Sequence, residues 1–306
     1  MIDTAGWGPE RWAFHLTHLL NAANPPNRHR FDVGELAKEV SHNFFPDDPI
    51  AAVMGDDLDG FDGALVPAES GKKWGILFNR NATPRRRRFT IGHELGHYLL
   101  HRKKYPKGIH CDEAAVDGRN GELIEQEANT FSATLLMPLD DFKRRISAKD
   151  VPSFDDLSAC ADQYDVSLTA AMLRWLRYTD RRAMMIVSTD GFANWAWSSE
   201  PAFKSGRFIR TRNGPPYEIP AGSGVASGTF SDELKAGIDH PAGVWFEEPV
   251  RELSFRATNL NVVYTLLHFK NSERAIWHAE PANARKVQPV WEAAVLPLNY
   301  ARKSMT

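Results

Sequence analysis

The sequence has 306 residues, of which 42% are hydrophobic and 25% charged, and its formal net charge is −2. This composition is typical of a globular protein long enough for two or three domains, and the near-neutral charge argues against a general nucleic-acid or membrane-surface binder. No segment approaches the roughly 20 apolar residues of a membrane span, and the N-terminus lacks a signal-peptide pattern. We therefore expect a cytoplasmic protein without a membrane partner, in which Cys111 and Cys160 are buried or free thiols.

Two helices and two strands are predicted before residue 80. Residues 10–22 have helical spacing, and Asp32 can cap a second helix over 33–40. Residues 60–67 and 74–79 predict two strands joined by a polar turn. With a further helix behind them, this order predicts an α+β domain with a small sheet beside that helix. The strand at 74–79 is predicted to be a sheet edge along which an extended peptide could pair.

The further helix contains an HExxH motif, His93-Glu94-Leu95-Gly96-His97. On a helix that turns about 100° per residue, the two histidines lie about 40° apart with Glu94 about 100° from the first, while apolar side chains line the opposite side. Two histidines at this spacing can ligate one zinc ion, and the intervening glutamate can act as a general base on a metal-bound water. The alternative is a chance match on a solvated helix face, so the interpretation requires a third ligand.

Four consecutive arginines, Arg85–Arg88, precede the motif. They could form a nucleic-acid patch, but four basic residues entering a helix more often form a solvated turn with one or two ion pairs. The second interpretation is favoured.

A second strong helical pattern runs over 122–137 and stops at Pro138. On this helix Glu125 and Asn129 share one side beside the apolar stripe, whereas Glu127 points about 200° away from Glu125. Glu125 is therefore the better third ligand, and Asn129 could hydrogen-bond a ligating histidine. A His₂Glu set suits zinc with one position open for water, and manganese is a second possibility. The alternative is that both glutamates are solvated helix charges.

The sequence excludes two other versions of this site. A metzincin would need glycine at position 100 and histidine at position 103, but the sequence has Leu100 and Lys103, so that class is excluded. His101 lies about 12 Å along the helix axis from His93, too far to share its metal. His101 and His110 remain candidates for stabilising an oxyanion, whereas Tyr98 falls on the core side of the helix.

Together these two segments resemble the ImmA/IrrE family of metallopeptidases. The resemblance lies in residues 85–101 and in residues 125–138, which follow the family pattern Glu-x-x-Ala-Asn-x-Phe-Ala ending in Leu-Leu-Met-Pro. The chain departs from the pattern at Gly92 and Ser132, where the family usually has alanine. The resemblance is strongest over residues 30–140.

The resemblance implies a zincin-like peptidase domain of the gluzincin type. In such a domain His93, His97 and Glu125 would hold a zinc ion, and Glu94 would be the catalytic base. It also implies a protein substrate, because family members act on helix-turn-helix repressors and so release genes for stress responses or mobile-element transfer.

Residues 153–178 predict a helix, a turn and a second helix. The second helix has basic residues only near its end, at Arg174 and Arg177, whereas DNA-reading residues cluster near the start of a recognition helix. A packing or substrate-docking role is therefore favoured over DNA reading, although the resemblance implies a helix-turn-helix-like unit here.

The remainder of the chain is predicted to be β-rich, and the family resemblance suggests a GAF-like sensor fold without any matching motif. Strands are predicted at 183–188, 192–197, 206–211, 243–246, 251–257, 262–269 and 275–278, with a helix at 231–238. Trp195, Trp197, Trp245 and Trp277 could line a ligand pocket, but packing is the favoured interpretation.

The sequence therefore predicts a peptidase domain at 1–145, a helix-turn-helix-like unit at 150–180 and a β-rich domain at 181–306. The predicted function is zinc-dependent endopeptidase cleavage of a helix-turn-helix repressor. The alternative is a regulator that binds DNA or a repressor and keeps a non-catalytic metal site, with direct DNA binding left open. A ligand-sensing C-terminal domain is compatible with either function.

Overall fold

The computed structural model describes residues 4–23, 28–69, 71–110, 118–211, 214–258 and 260–270. The chain divides into two compact units. The first comprises Met1–Phe142 and Ala161–Ser167, and the second comprises Lys143–Cys160 and the chain from Leu168 onward. The boundaries predicted for three domains stay a prediction.

The predicted N-terminal helices and strands are present in the predicted order, with two strands that were not predicted. The elements are α1 Pro9–Ala23, α2 Val33–Phe44, β1 Ile50–Asp56, β2 Gly63–Pro67, β3 Trp74–Asn79, α3 Pro84–Leu100, β4 Ile109–His110 and α4 Gly118–Leu136. The two strands that were not predicted are β1 and β4. Helix α2 begins as predicted, because the Asp32 side chain accepts a hydrogen bond from the backbone of Glu35. Thr83 caps α3 in the same way, with Pro84 at the first helical position.

The predicted edge position of strand 74–79 is wrong. The sheet order is β1-β3-β2-β4, with β1 parallel to β3 and β2 antiparallel to both β3 and β4. Strand β3 therefore lies inside the sheet, and its backbone groups are hydrogen-bonded on both sides. The error arose because β1 was not predicted: its sequence, Ile-Ala-Ala-Val-Met-Gly-Asp, has no clear alternation of apolar and polar residues.

The core of the first unit lies where α1, α2 and the sheet meet α3. Its largest fully buried members are Trp12, Leu16, Leu65, Ile76, Leu95, Tyr98, Phe131 and Leu135. Helix α3 is buried on both sides from Gly92 to Leu99, because α4 covers the face that carries the histidines. Helix α3 is therefore packed both on its predicted apolar face and on the face that carries the histidines.

Two glycines allow α3 and α4 to run antiparallel at close range. A Cβ on Gly92 would lie 2.6 Å from Ser132 Oγ, and a Cβ on Gly96 would lie 3.1 Å from the Ala128 Cα. The Ser132 hydroxyl donates a hydrogen bond to the Phe89 carbonyl at 2.9 Å. The two departures from the family pattern therefore compensate, since the missing methyl group at position 92 makes room for the extra hydroxyl at position 132.

Three further helices follow α4: α5 Leu139–Arg145, α6 Phe154–Tyr164 and α7 Leu168–Leu176. The predicted helix, turn and helix over 153–178 are confirmed, with Asp165 at a positive φ of 51° in the turn. The residues buried along α7 are Thr169, Ala171, Met172, Leu173, Arg174, Trp175 and Leu176. A recognition helix must expose the face that reads base edges, so this burial favours packing over DNA reading.

The second unit contains a five-stranded antiparallel sheet, which confirms the β-rich prediction. Its elements are β5 Ala183–Thr189, β6 Phe192–Ser198, α8 Glu200–Lys204, α9 Asp232–Ala236, β7 Ile238–His240, β8 Val250–Ala257 and β9 Val262–Phe269. The strand order is β6-β5-β9-β8-β7. A GAF-like fold stays a prediction.

Two of the strands predicted in this unit are wrong. Residues 206–211 and 243–246 are irregular, and each begins at a glycine with positive φ, Gly206 at 78° and Gly243 at 95°. Their apolar side chains Ile209 and Trp245 still pack into the core, which explains the strand-like pattern. The predicted strand 275–278 and Trp277 lie outside the described residues.

A buried carboxylate anchors the loop between β6 and β7. Glu252 on β8 is fully buried and accepts hydrogen bonds from the backbone of Gly224 and Val225 and from the Trp245 indole. These donors offset the cost of burying a carboxylate. Trp245 is thus a core residue, and Trp195 is also buried. Both agree with the prediction that these tryptophans pack in the core and do not line a ligand pocket.

Among the described residues, we find no helix that combines the length and the apolar character needed to cross a bilayer.

The contact between residues 92 and 132 predicts an interaction between two substitutions. In Gly92→Ala the new Cβ forces the Ser132 hydroxyl to rotate, and losing its hydrogen bond costs about 1 kcal/mol. That cost cancels the gain of about 1 kcal/mol from replacing a helical glycine by alanine. In a Ser132→Ala background the same substitution therefore stabilises by about 1 kcal/mol. Urea unfolding of the four proteins measures this coupling, and an equal effect in both backgrounds would contradict it.

A buried histidine predicts an acid-sensitive fold in the second unit. Burial, together with nearby Arg181 and Arg251, lowers the pKa of His268 from 6.5 to about 4. As the pH falls, His268 takes up a proton in the unfolded chain before it does so in the folded protein. The folded state is therefore fully stable above pH 6.5 and loses stability as the pH falls toward 4. Between pH 7.5 and pH 5 this amounts to about 2 kcal/mol. Urea unfolding at the two pH values should show that His268→Gln removes this loss, whereas replacing the exposed His42 leaves it unchanged.

Candidate metal centre

Three potential metal ligands converge where α3 packs against α4. His93 Nε2 lies 2.9 Å from His97 Nε2 and 3.1 Å from Glu125 Oε2, and His97 Nε2 lies 3.1 Å from Glu125 Oε1. All three side chains are buried, and their donor atoms lie within 4.8 Å of one another. The three residues that sequence reasoning selected as ligands are therefore brought together.

Asn129 orients the first histidine. Its Oδ1 lies 2.9 Å from His93 Nδ1, and because an amide oxygen only accepts, His93 Nδ1–H must donate to it. The lone pair of neutral His93 is then on Nε2, which faces His97 and Glu125. The predicted contact between Asn129 and a histidine of the motif is confirmed.

The donor set fits a small divalent cation. Zinc–nitrogen bonds of about 2.0–2.1 Å in a tetrahedron place two ligand atoms roughly 3.3 Å apart, close to the separations of 2.9 and 3.1 Å seen here. Two imidazole lone pairs and a carboxylate facing one another at this range repel unless a cation or a proton lies between them. Imidazole and carboxylate ligands suit zinc, and manganese also accepts them.

The charge states favour metal binding. Burial raises the pKa of Glu125, but the close contacts of its carboxylate with His93 and His97 outweigh it, so the net shift is downward and the carboxylate is ionised. Burial and the neighbouring His93 lower the pKa of His97 to about 4, which keeps this ring neutral near pH 7. Burial lowers the pKa of His93, but its hydrogen bond to Glu125 reverses the shift and raises it. The raised pKa of His93 means that protons compete with a metal for this ring.

Glu94 lies in a space that a glycine leaves open. It is fully buried, and its charge helps to raise the pKa of His93. A Cβ on Gly63 of β2 would lie 2.8 Å from Glu94 Oε1 and 2.4 Å from Thr90 Cγ2. The bare backbone of Gly63 is thus what accommodates the glutamate, a role that sequence reasoning missed because a glycine at the start of a strand gives no signal of it.

A third histidine of α3 extends this polar cluster away from the ligands. His101 Nδ1 lies 3.0 Å from His97 Nδ1, and His101 Nε2 lies 2.8 Å from Glu127 Oε2. Both ring nitrogens of His101 are used in this way, so its predicted candidacy for oxyanion stabilisation is not supported. Tyr98 lies in the core as predicted and donates a hydrogen bond to the Asp48 carbonyl.

Three of the four arginines before the motif make ion pairs or hydrogen bonds with other parts of the first unit. Arg85 pairs with Asp162 at 2.6 Å and with Asp165 at 3.4 Å, and Arg86 pairs with Asp62. Arg88 donates hydrogen bonds to backbone carbonyls, and burial lowers its pKa. The predicted ion pairs are confirmed for Arg85 and Arg86, but the four arginines lie within α3 and not in a turn. This pairing favours a structural role over a nucleic-acid patch.

One family model matches a segment of the chain that includes the residues of this site. Residues 47–176 match a family model described as Peptidase_M78, IrrE N-terminal-like domain. No curated protein gives a significant match. A solved structure titled "Mycobacterium tuberculosis transcriptional regulator" is similar at 14% sequence identity and a TM-score of 0.47, covering 84% of this chain and 76% of that one. Residues 47–176 therefore match the IrrE N-terminal-like domain of the M78 peptidase family, and the resemblance predicted from the two motifs is confirmed.

Proposed function

We propose that this protein is a zinc-dependent endopeptidase in which His93, His97 and Glu125 hold the metal and Glu94 is the catalytic base. The observation that carries the proposal is the convergence of both motif imidazoles with Glu125 within 3.1 Å, inside an M78 peptidase domain. Three protein ligands leave the fourth position of a tetrahedral zinc for water, as catalytic zinc sites require.

The side chains of this site divide the chemistry of peptide hydrolysis between them. A zinc ion bound here would activate a water molecule and polarise the scissile carbonyl. The Glu94 carboxylate accepts the proton of the attacking water and later donates it to the leaving amine nitrogen. Asn129 holds the His93 ring in one tautomer, and Gly63 keeps open the space in which the Glu94 carboxylate lies.

The proposed substrate is a helix-turn-helix transcriptional repressor whose cleavage switches on a stress-response or mobile-element programme. This assignment rests on the family to which residues 47–176 belong. A regulator with a purely structural metal site is less well supported, because such a site does not need a buried glutamate beside its histidines. The burial of α7 also weighs against direct DNA reading by this segment.

The ligand assignment predicts the outcome of metal titrations. The purified protein should bind one zinc ion, and more tightly than manganese because the Irving–Williams order favours zinc. His93→Ala, His97→Ala and Glu125→Ala should each lower zinc affinity by more than the ~10–100-fold that is typical of losing an outer-shell partner. Competition with a chromogenic chelator measures the affinity. His42→Ala, which removes an exposed histidine of α2, is the matched control and should bind as the unmodified protein does.

Glu94→Gln separates metal binding from catalysis. The amide cannot accept the proton, so cleavage should slow by roughly 100-fold or more while the zinc content stays at one. The assay incubates the zinc-loaded protein with each purified helix-turn-helix repressor from the same genome and detects fragments by mass spectrometry. A chelator should abolish cleavage, and zinc should restore it.

Three results of that assay would count against the proposal. Undiminished cleavage by zinc-loaded Glu94→Gln would remove Glu94 from its role. Cleavage that survives the chelator would remove the metal from the mechanism. If the repressors stay intact while an unrelated unfolded protein is cut, the peptidase assignment would stand and the substrate class would be wrong.

A further inference from the structure

A chain of two hydrogen bonds leads from His97, a proposed metal ligand, to the protein surface. His97 Nδ1 contacts His101 Nδ1 at 3.0 Å, and His101 Nε2 contacts Glu127 Oε2 at 2.8 Å. His97 and His101 are buried, whereas the Glu127 side chain is 37% exposed. Glu127 lies two residues beyond Glu125 on α4, so this helix contacts two successive turns of α3 with two different glutamates.

The acceptor at the end of the chain dictates where each proton lies. A carboxylate has only acceptor oxygens, so His101 must donate Nε2–H to Glu127. In a neutral His101 ring, Nδ1 then carries the lone pair and accepts a hydrogen bond. The proton between the two rings therefore belongs to His97 Nδ1, and the His97 lone pair is placed on Nε2. That is the nitrogen which faces His93 and Glu125.

Glu125 favours the opposite tautomer of His97 in the metal-free protein. His97 Nε2 lies 3.1 Å from Glu125 Oε1, a carboxylate oxygen that would itself attract a proton onto Nε2. A ring protonated at Nε2 has no lone pair to give to a metal at that position. Glu125 and Glu127 thus compete for the tautomer of one histidine, and the pull from Glu127 through His101 leaves the ring ready to ligate.

We propose that His101 and Glu127 are positioning residues that hold His97 in the Nδ1–H tautomer and so prepare it for metal. They act through His97 and touch neither the metal nor the substrate. The proposal rests on the metal site of the proposed function, but the tautomer exists in the metal-free protein and can be measured there.

The decisive variant is Glu127→Gln, which keeps the side-chain volume but lets residue 127 either donate or accept. His101 can then present Nδ1–H to His97, which puts the His97 proton on Nε2. Long-range proton–nitrogen NMR of the ¹⁵N-histidine-labelled, metal-free protein reports which nitrogen carries the proton. The ratio of Nδ1–H to Nε2–H at His97 should be lower in Glu127→Gln than in the unmodified protein. Glu122→Gln removes an exposed charge from the same helix and should leave the ratio unchanged.

Zinc affinity provides the second measurement. Glu127→Gln should weaken zinc binding by about 10-fold or more, the usual effect of losing an outer-shell partner. Glu122→Gln, which removes only an exposed charge, should change the zinc affinity by less than about twofold. The His101→Gln background distinguishes this tautomer effect from a direct effect of the Glu127 charge on the metal. In that background the amide oxygen of residue 101 can accept from His97 Nδ1–H without help from Glu127. Adding Glu127→Gln to His101→Gln should therefore have little further effect on affinity.

The outcomes distinguish the two proposals. An unchanged His97 tautomer in Glu127→Gln overturns the positioning role. The role is also overturned if Glu127→Gln lowers zinc affinity equally in the unmodified protein and in the His101→Gln variant. If the unmodified protein binds no zinc, the proposed function fails, while the NMR comparison still decides the tautomer.

Discussion

The close approach of α3 and α4 is the constraint on which the site depends. Gly92 and Gly96 remove the side chains that would hold these helices apart, and a Cβ at Gly96 would meet the backbone of α4 at 3.1 Å. Because α4 carries Glu125, its distance from α3 decides whether the carboxylate can share a metal with the two imidazoles. Glycine normally weakens a helix, and here that weakness is offset by the packing it permits.

Burial between these helices also sets the protonation of the site. Three groups with lone pairs are held in a region that excludes water, so their charges are decided by one another more than by the solvent. The carboxylate of Glu125 is ionised and His97 is neutral, which are the forms that ligate a metal. Asn129 behind His93, and His101 with Glu127 behind His97, direct the lone pairs of both rings inward. The proposed chemistry therefore follows from helix packing and from the hydrogen bonds behind each ligand.

Sequence reasoning succeeded where the signal is local and periodic. The 3.6-residue repeat placed His93 and His97 on one face of α3, and the same repeat on α4 selected Glu125 as the residue that meets both. It did not show that Glu127 also contacts α3, through His101. Sequence reasoning failed where an element is defined by contacts with residues that are distant in the sequence. Strand β1 has a weak pattern of its own and is defined by pairing with β3, so the edge of the sheet was misplaced. Residues 206–211 and 243–246 look like strands because they supply core side chains, but positive-φ glycines start them as irregular segments.

The candidate ligands, their helices and the family resemblance over residues 30–140 could be predicted from the sequence alone, because helical phase and motif spacing are properties of a single segment. Only the tertiary structure decided how the segments meet. It buried the histidine face under α4, matched Gly92 with Ser132, placed Gly63 against Glu94, and linked His97 through His101 to Glu127. These contacts join residues on different elements, and no local pattern records them. Their distances come from how closely two helices and a sheet can pack.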